Sequence, residues 1–293
     1  METLRTRAQS ILWIAVCLTL IMFTSTTLQL SPASASSTAL NLGKLVHLRI
    51  ASSESDYPIR DVYVLTPALK GIDPVTLPVV YMLHGWSGSP AGMISAVQKP
   101  LALAFSQGTK PFIAVFPDGN AKTHPDSEWA DSSDKKAMVE TWLTKKVIPT
   151  VEAGRIRTKS ERAIFGFSMG GYGAAIIALH HPTLFGQVVS IAGYFITDDI
   201  SEAFSGVKKI AYQSPSTFLK VAKNFRWYLA EGLDDFTQPI RGQAVLWSMK
   251  LKSVKAPVAL VKPSGGHSFV VVSNQIASIT QWMKWPAITH AVV

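Results

Sequence analysis

Short apolar runs alternate with helix-like stretches along most of this chain, and this alternation restricts the folds open to it. From residue 77 onward the apolar runs are VVYML (79–83), FIAVF (112–116), RAIFGF (162–167), QVVSIA (187–192), RWYLA (226–230) and PVALV (257–261). Helical patterns fill the gaps, near residues 91–106, 137–152, 170–180, 240–252 and 274–284. Continuously apolar strands separated by helices predict an α/β fold with a mostly parallel central sheet, flanked by helices and buried on both faces.

Two earlier runs, LVHLRI (45–50) and DVYVL (61–65), alternate more regularly between polar and apolar residues. Such alternation favours strands with one solvated face, so we expect an antiparallel edge there. No internal repeat, long linker or low-complexity segment divides the chain, which indicates one domain. In an open parallel sheet, ligands bind beyond the carboxyl ends of the strands, and candidate catalytic residues are expected at that edge.

The first residues have the pattern of a secretory signal. Arg5 and Arg7 precede an apolar run over residues 11–23, and a polar stretch then ends in the small residues Ala33-Ser34-Ala35. The apolar run is short for a membrane-spanning helix, although an uncleaved anchor is the alternative. We therefore expect residues 1–35 to be removed on export and residues 36–293 to form a single domain, secreted or held at the cell envelope.

Charge and cysteine content narrow the classes of partner. The formal net charge is +9, but the basic residues are scattered and form no run interleaved with aromatic residues, which argues against nucleic-acid binding. The scattered charges favour a generally solvated surface, and association with anionic cell-envelope polymers is the alternative. The only cysteine, Cys17, lies in the signal segment, so core packing rather than a disulfide is expected to stabilise the exported domain.

Ser168 is the candidate nucleophile. It stands in Gly166-Phe167-Ser168-Met169-Gly170, directly after a predicted strand and at the start of a predicted helix. A G-x-S-x-G sequence in this context is typical of a nucleophile elbow, where a strained turn needs small neighbours. The alternative is a glycine-rich strand-to-helix turn without a catalytic role.

A serine needs a base and an orienting acid, and both follow later strands. His267 lies in KPSGGHSF, just beyond the strand predicted at 257–261. After the strand at 226–230, the stretch EGLDDF offers Glu231, Asp234 and Asp235. The chain order serine, acid, histidine is that of α/β-hydrolases, and Asp235 is preferred over Asp234. The alternative for either aspartate is a solvated loop carboxylate.

Two backbone N–H groups are the expected oxyanion hole. One belongs to Met169, the residue after the nucleophile, and the other to Trp86, in the loop after strand 79–83. His84 and Gly85 are expected to shape that loop rather than react.

Other polar and aromatic residues leave alternatives open. His180 and His181 end a predicted helix, where a structural role is expected because a helix C-terminus favours a cation. Trp129, Trp142 and Glu140 are candidates either for an acceptor pocket or for the core. The segment 196–225 is a candidate lid, and Phe195, Phe204 and Phe218 either contact an acyl chain or pack internally.

Taken together, the motifs resemble one known family. VVYMLHGWSG, FPDGNAKTHPDSEWAD, ETWLTKKVIPTVE, AIFGFSMGGYGAAIIALHHPTLFGQVVSIAG and PSGGHSF span about residues 78–269 in the order found in the esterase branch of the α/β-hydrolases. This branch includes esterase D, feruloyl esterases and secreted mycolyltransferases. The resemblance implies a Ser-His-Asp acyl-enzyme mechanism on small-molecule, lipid or glycolipid esters, with no metal ion and no cofactor. The family's acid comes three residues after a glycine, here Gly232, which favours Asp235.

Three further functions compete with ester hydrolysis. Acyl transfer to a sugar hydroxyl uses the same acyl-enzyme. The mycolyltransferases, however, commonly use a glutamate as the triad acid and carry a disulfide, whereas the exported chain offers an aspartate and has no cysteine. A serine peptidase with the same triad and a non-catalytic cell-surface binding protein with a hydrolase fold are the others. The sequence indicates no oligomeric state.

Overall fold

The computed structural model of the chain describes residues 40–53, 57–196, 203, 204 and 207–287. The predicted signal segment, 1–35, lies outside the described residues, and so does part of the candidate lid. Among the residues that are described, no helix is both long and apolar enough to cross a membrane.

One eight-stranded sheet organises the described chain. Its strands are β1 (Lys44–Ala51), β2 (Ile59–Thr66), β3 (Val79–Leu83), β4 (Ile113–Pro117), β5 (Arg162–Phe167), β6 (Gln187–Ile191), β7 (Arg226–Ala230) and β8 (Val258–Val261). They lie in the order β1-β2-β4-β3-β5-β6-β7-β8. Strands β3 to β8 pair in parallel, whereas β1 with β2 and β2 with β4 are antiparallel. The predicted α/β class, the parallel sheet and the antiparallel edge are confirmed.

Helices connect the strands much as the apolar periodicity predicts. The main ones are α1 (Pro90–Ser106), α2 (Val139–Trp142), which continues through a π-helical turn into α3 (Ile148–Val151), α4 (Met169–His180), α7 (Gln243–Ser253) and α8 (Phe269–Trp282). Helix α8 begins five residues earlier than predicted. The short helices α5 (Val207–Gln213) and α6 (Leu219–Ala222) were not predicted, because one or two turns carry little periodicity.

The core surrounds α4 on all sides. Every residue of β3, β5 and β6 is buried, and so is every residue of α4 up to Leu179. A helix that is apolar all round is a buried helix. This burial therefore holds the start of α4, and with it Ser168, in one position.

The tryptophans whose placement the sequence leaves open belong to the core. Trp129 is fully buried, and its indole Nε1–H donates a hydrogen bond of 3.0 Å to the carbonyl oxygen of His84. Trp142 is fully buried as well. Neither side chain is available to stack on a sugar, so the acceptor-pocket interpretation of these two residues is wrong.

Glu140 joins α2 to the end of α4 through a buried ion cluster. It accepts hydrogen bonds from His180 Nδ1 at 2.9 Å and from His181 Nε2 at 2.9 Å. His180 Nε2 donates to the carbonyl oxygen of Tyr212 at 2.9 Å. Both ring nitrogens of His180 thus face oxygen atoms, so the ring links α4 to Glu140 and to the backbone at Tyr212. The structural role expected for His180 and His181 fits this geometry.

Glu140 should make the fold sensitive to acid. Burial alone would raise the pKa of the Glu140 carboxyl, but hydrogen bonds from His180 and His181 outweigh burial and lower it. A carboxyl whose pKa is lowered on folding stabilises the protein above its unfolded pKa, about 4.3. That stabilisation is lost as the pH falls through the lower, folded pKa.

We expect Glu140→Gln to reduce the free energy of unfolding by about 3 kcal/mol at pH 7, because it removes the buried carboxylate that both His180 and His181 contact. Between pH 5 and pH 3 the variant should lose less stability than the unaltered protein. Urea unfolding at pH 7, 5 and 3 measures both effects, with Asp73→Asn, an exposed change, as the control. Equal unfolding free energies for Glu140→Gln and the unaltered protein at pH 7 would contradict the prediction.

Candidate active site

Ser168 occupies a strained turn between β5 and α4. Its backbone angles are φ 57° and ψ −122°, a conformation that non-glycine residues seldom adopt and that recurs at functional sites. The Ser168 N–H donates to the carbonyl oxygen of Ile191 at 2.9 Å, and its own carbonyl accepts from the N–H of Tyr172 at 3.1 Å. These backbone bonds to β6 and α4 hold the turn in place, with the side chain partly exposed.

The glycines on either side of Ser168 are required by close backbone approaches. A Cβ atom on Gly166 would lie 1.8 Å from the carbonyl oxygen of Gly170, and one on Gly170 would lie 2.3 Å from the carbonyl oxygen of Leu83. Both distances are far inside van der Waals contact. The spacing of the motif therefore follows from β5, α4 and β3 meeting at one point, as the nucleophile-elbow prediction requires.

His267 bridges Ser168 and Asp235. Its Nε2 lies 2.9 Å from Ser168 Oγ, and its Nδ1 lies 2.8 Å from Asp235 Oδ2. An ionised carboxylate only accepts hydrogen bonds, so the proton of a neutral His267 belongs on Nδ1 and leaves Nε2 free to accept from the serine. The ring also packs against that of Phe167, with 4.8 Å between centroids.

Asp235, rather than Asp234, reaches the histidine. Asp235 is 2% exposed, and its Oδ1 accepts a hydrogen bond of 3.0 Å from the N–H of Thr237. Both carboxylate oxygens therefore have donors, which offsets part of the cost of burying the charge. The structure thus brings together the three residues Ser168, His267 and Asp235 that sequence reasoning selected.

Asp234 has a different position, which sequence reasoning did not foresee. Its N–H donates to the carbonyl oxygen of Gly265 at 3.0 Å, and its Oδ2 accepts from the N–H of Gly265 at 3.3 Å. Leu233 makes a further backbone bond of 2.9 Å to Pro263. These contacts join the loop after β7 to the loop that carries His267.

Glu231, the third candidate acid, caps a helix instead of reaching the histidine. Its carboxylate accepts from the N–H groups of Gly242, at 2.7 Å, and Ala244, at 3.1 Å, at the start of α7. A carboxylate at a helix N-terminus satisfies N–H groups that have no partner within the helix.

The two expected oxyanion donors border the same cavity as Ser168. Met169 is the first residue of α4, so its N–H has no acceptor within the helix. Trp86 follows β3, and its side chain is 60% exposed. Both residues line the cavity that Ser168 and His267 line. Their role as donors to a substrate oxygen stays a prediction.

His84 is buried and has both ring nitrogens engaged by the backbone. Its Nδ1–H donates to the carbonyl oxygen of Gly85 at 2.8 Å, and its Nε2 accepts from the N–H of Gly119 at 3.0 Å. His84 thus ties the loop after β3 to the loop after β4. The geometry matches the loop-shaping role expected for it.

A cavity of about 900 Å³ opens above Ser168. Its size suits a small organic molecule. One part of its wall comes from the loops after β3 and β4, and another comes from Phe167, Phe269 and the stretch from Thr237 to Ile240. Tyr194, after β6, completes the lining.

The aromatic residues of the candidate lid pack internally. Phe195 is buried and stacks on Trp247 with 5.2 Å between ring centroids. Phe204 lies in a small buried cluster with Ala130 and Ala203. Phe218 contacts His180 edge-on at 5.1 Å. Of the two interpretations left open for these residues, internal packing is the one the structure supports.

Solved structures of similar length share this fold. A ferulic acid esterase superposes with a TM-score of 0.68 at 21% identity, over 82% of this chain and 97% of its own. The fluorophosphonate-binding serine hydrolase FphF of Staphylococcus aureus gives 0.68 at 18% identity, over 82% and 98%. An S-formylglutathione hydrolase from Agrobacterium tumefaciens gives 0.68 at 18% identity, over 84% and 96%. This likeness establishes the α/β-hydrolase fold.

Sequence comparison identifies the family. No curated protein is similar enough in sequence to match the chain. Residues 61–227, more than half of the chain, match the family model described as "Putative esterase". That range runs from β2 into β7 and contains Trp86, Ser168 and Met169. The chain therefore belongs to this esterase family of the α/β-hydrolase fold and is a carboxylic-ester hydrolase.

Proposed function

We propose that Ser168, His267 and Asp235 form a catalytic triad that hydrolyses carboxylic esters through an acyl-enzyme. The observation that carries this proposal is the continuous pair of hydrogen bonds, 2.9 Å and 2.8 Å, from Ser168 Oγ through His267 to Asp235. The chain of bonds begins at a cavity of sufficient size for an ester and ends at a buried carboxylate. These are the positions that nucleophile, base and orienting acid need.

In the acylation half, Ser168 Oγ attacks the ester carbonyl carbon while His267 Nε2 takes the hydroxyl proton. The carbonyl oxygen becomes an oxyanion, to which the N–H groups of Met169 and Trp86 donate. Asp235 stabilises the imidazolium that forms. The carbon–oxygen bond to the alcohol then breaks, and His267 returns its proton to the departing alkoxide.

In the deacylation half, a water molecule replaces the alcohol. His267 Nε2 takes a proton from the water as its oxygen attacks the acyl carbon, and the same two N–H groups stabilise the second oxyanion. Breaking the bond to Ser168 Oγ releases the acid, and the proton on His267 restores the serine hydroxyl. An alcohol in place of the water gives acyl transfer with the same residues.

The first test is covalent labelling of residues 36–293 with a fluorophosphonate. We expect an adduct on Ser168 by mass spectrometry, and no adduct in Ser168→Ala. His267→Ala should label far more slowly, and kcat/KM for p-nitrophenyl butyrate should fall by about 10⁴-fold or more in either variant. Ser106→Ala, an exposed serine at the end of α1, is the control.

Labelling of a different serine, or turnover that survives in Ser168→Ala, would contradict the triad. Product analysis in excess trehalose separates the two acceptors. Free butyrate alone indicates hydrolysis, whereas a butyryl sugar indicates transfer.

Adjacent aspartates provide a second, matched test. Asp235→Asn should lower kcat by about 10⁴-fold, because the histidine loses the acceptor that holds its Nδ1 proton. Asp234→Asn keeps an oxygen that can accept from Gly265, so we expect less than about a tenfold loss. Steady-state kinetics on both variants, with thermal unfolding to verify the fold, measure the difference. Similar losses in the two variants would contradict the assignment of Asp235.

Export is part of the proposal and rests on the signal pattern of residues 1–35. Expression of the full chain in a bacterial host should yield an extracytoplasmic protein that begins at Ser36, as determined by N-terminal sequencing. Ala35→Phe should block cleavage, because signal peptidases require a small residue there. An extracytoplasmic protein that still begins at Met1, or a protein found only in the cytoplasm, would contradict the prediction.

A further inference from the structure

The cavity above Ser168 is acidic although the protein is basic. The chain has a formal net charge of +9. The ionisable residues that line the cavity are Asp126, Glu128, Tyr194 and His267, and within the described part of the chain no lysine or arginine lines it. A cavity of one sign in a protein of the other sign indicates selection of a ligand by its charge.

Asp126 has a carboxylate oxygen that accepts no hydrogen bond within the part of the chain that the structure describes. That oxygen, Oδ1, is also shielded from solvent. A buried polar atom without a partner is costly, and native proteins contain few of them. Asp126 as a whole is partly exposed and lines the cavity, so its carboxylate can interact with a positive group or a hydrogen-bond donor of a bound substrate. Burial also raises the pKa of the Asp126 carboxyl to about 6.

Glu128 and Tyr194 stand beside Asp126 on the same wall. Glu128 is 1% exposed, and its Oε2 accepts a hydrogen bond from the hydroxyl of Tyr194. Burial and the Glu128 carboxylate raise the pKa of Tyr194 far above its usual value, and Asp126 adds to this effect. Tyr194 therefore stays protonated and neutral, so the carboxylates of Asp126 and Glu128 are the acidic groups of this wall.

Neither carboxylate has a part in the triad chemistry. Asp235 already serves His267, and the mechanism needs no second acid. A role in substrate selection accounts for both the unpartnered oxygen of Asp126 and the absence of lining cations from the described cavity.

We propose that Asp126, together with Glu128, is a specificity-determining residue that favours esters bearing an electropositive group, either an ammonium or a hydroxyl hydrogen-bond donor, over esters that lack one. This inference rests on the proposed function and extends it to the substrate class. It predicts a preference between substrates that are alike in shape and in the ester bond that breaks.

Two matched pairs of butyrate esters test the inference. Butyrylcholine and 3,3-dimethylbutyl butyrate differ in the charge of one nearly isosteric group, and glycerol monobutyrate and propyl butyrate differ in hydroxyls. At pH 7.5 we expect kcat/KM to be about tenfold higher for the first member of at least one pair. A preference in the choline pair identifies an ammonium, and one in the glycerol pair identifies a hydroxyl.

Variants assign the preference to Asp126. Asp126→Asn should reduce the choline preference to about one, because the charge is lost, and Asp126→Leu should abolish either preference, because the acceptor is lost too. Asp73→Asn, an exposed change outside the cavity, should leave both ratios unaltered. Fluorophosphonate labelling of Ser168 in each variant verifies that the site is intact.

The pH dependence of the ratio is a further readout. Within a pair both substrates use the same triad, so an effect of pH on the triad cancels in the ratio. Of the other lining groups, Tyr194 stays protonated, and Glu128 is buried and accepts a hydrogen bond from the Tyr194 hydroxyl. A choline preference should therefore weaken as the pH falls through about 6, where Asp126 takes up a proton, and should not do so in Asp126→Asn.

The inference fails if the first member of neither pair is preferred by more than about twofold, or if the preference survives in Asp126→Leu. In that event Ser168 still labels and p-nitrophenyl butyrate is still hydrolysed, so the proposed function stands. If Ser168 does not label in the unaltered protein, the proposed function itself has failed.

Discussion

The backbone turn at Ser168 is the constraint on which the rest of this structure depends. A positive φ at a non-glycine residue persists only where the surroundings enforce it. Here the carbonyl oxygen of Gly170 would lie 1.8 Å from any Cβ on Gly166, and the helix that follows is buried on all sides. Strand β5, helix α4 and their neighbours must therefore pack this closely for Ser168 to face the cavity. The contacts that stabilise the fold here are the same ones that hold Ser168 in position.

The positions of the three proposed triad residues follow from the strand order of the sheet. Ser168, Asp235 and His267 come after β5, β7 and β8, and the sheet order β5-β6-β7-β8 puts all three at the carboxyl edge. His267 nevertheless has to reach back across two strands to the serine. The bonds from Leu233 and Asp234 to the loop after β8 hold it in that position. The position of His267, the proposed base, thus depends on two joined loops at one edge of the sheet.

Family and fold leave the substrate undetermined, since one α/β-hydrolase scaffold carries many esterase specificities. Specificity has to come from the loops that form the cavity. In this protein the loop after β4 brings Asp126 and Glu128 to the wall, where they oppose the basic character of the chain as a whole. The Glu140 cluster, by contrast, pairs its carboxylate with two histidines and joins α2 to the end of α4.

Local patterns in the sequence determined the strands, the longer helices, the glycine-flanked serine and the order of serine, acid and histidine, because periodicity and turn chemistry act between near neighbours. Contacts between distant residues decided the rest. Asp234 and Asp235 are chemically identical neighbours, and only the path of the loop after β7 buries one against His267 and turns the other towards Gly265. Elements far apart in the chain likewise decide that Trp129 belongs to the core. They also decide that Asp126 Oδ1 has no hydrogen-bond donor among the described residues. Only their packing brings these elements together.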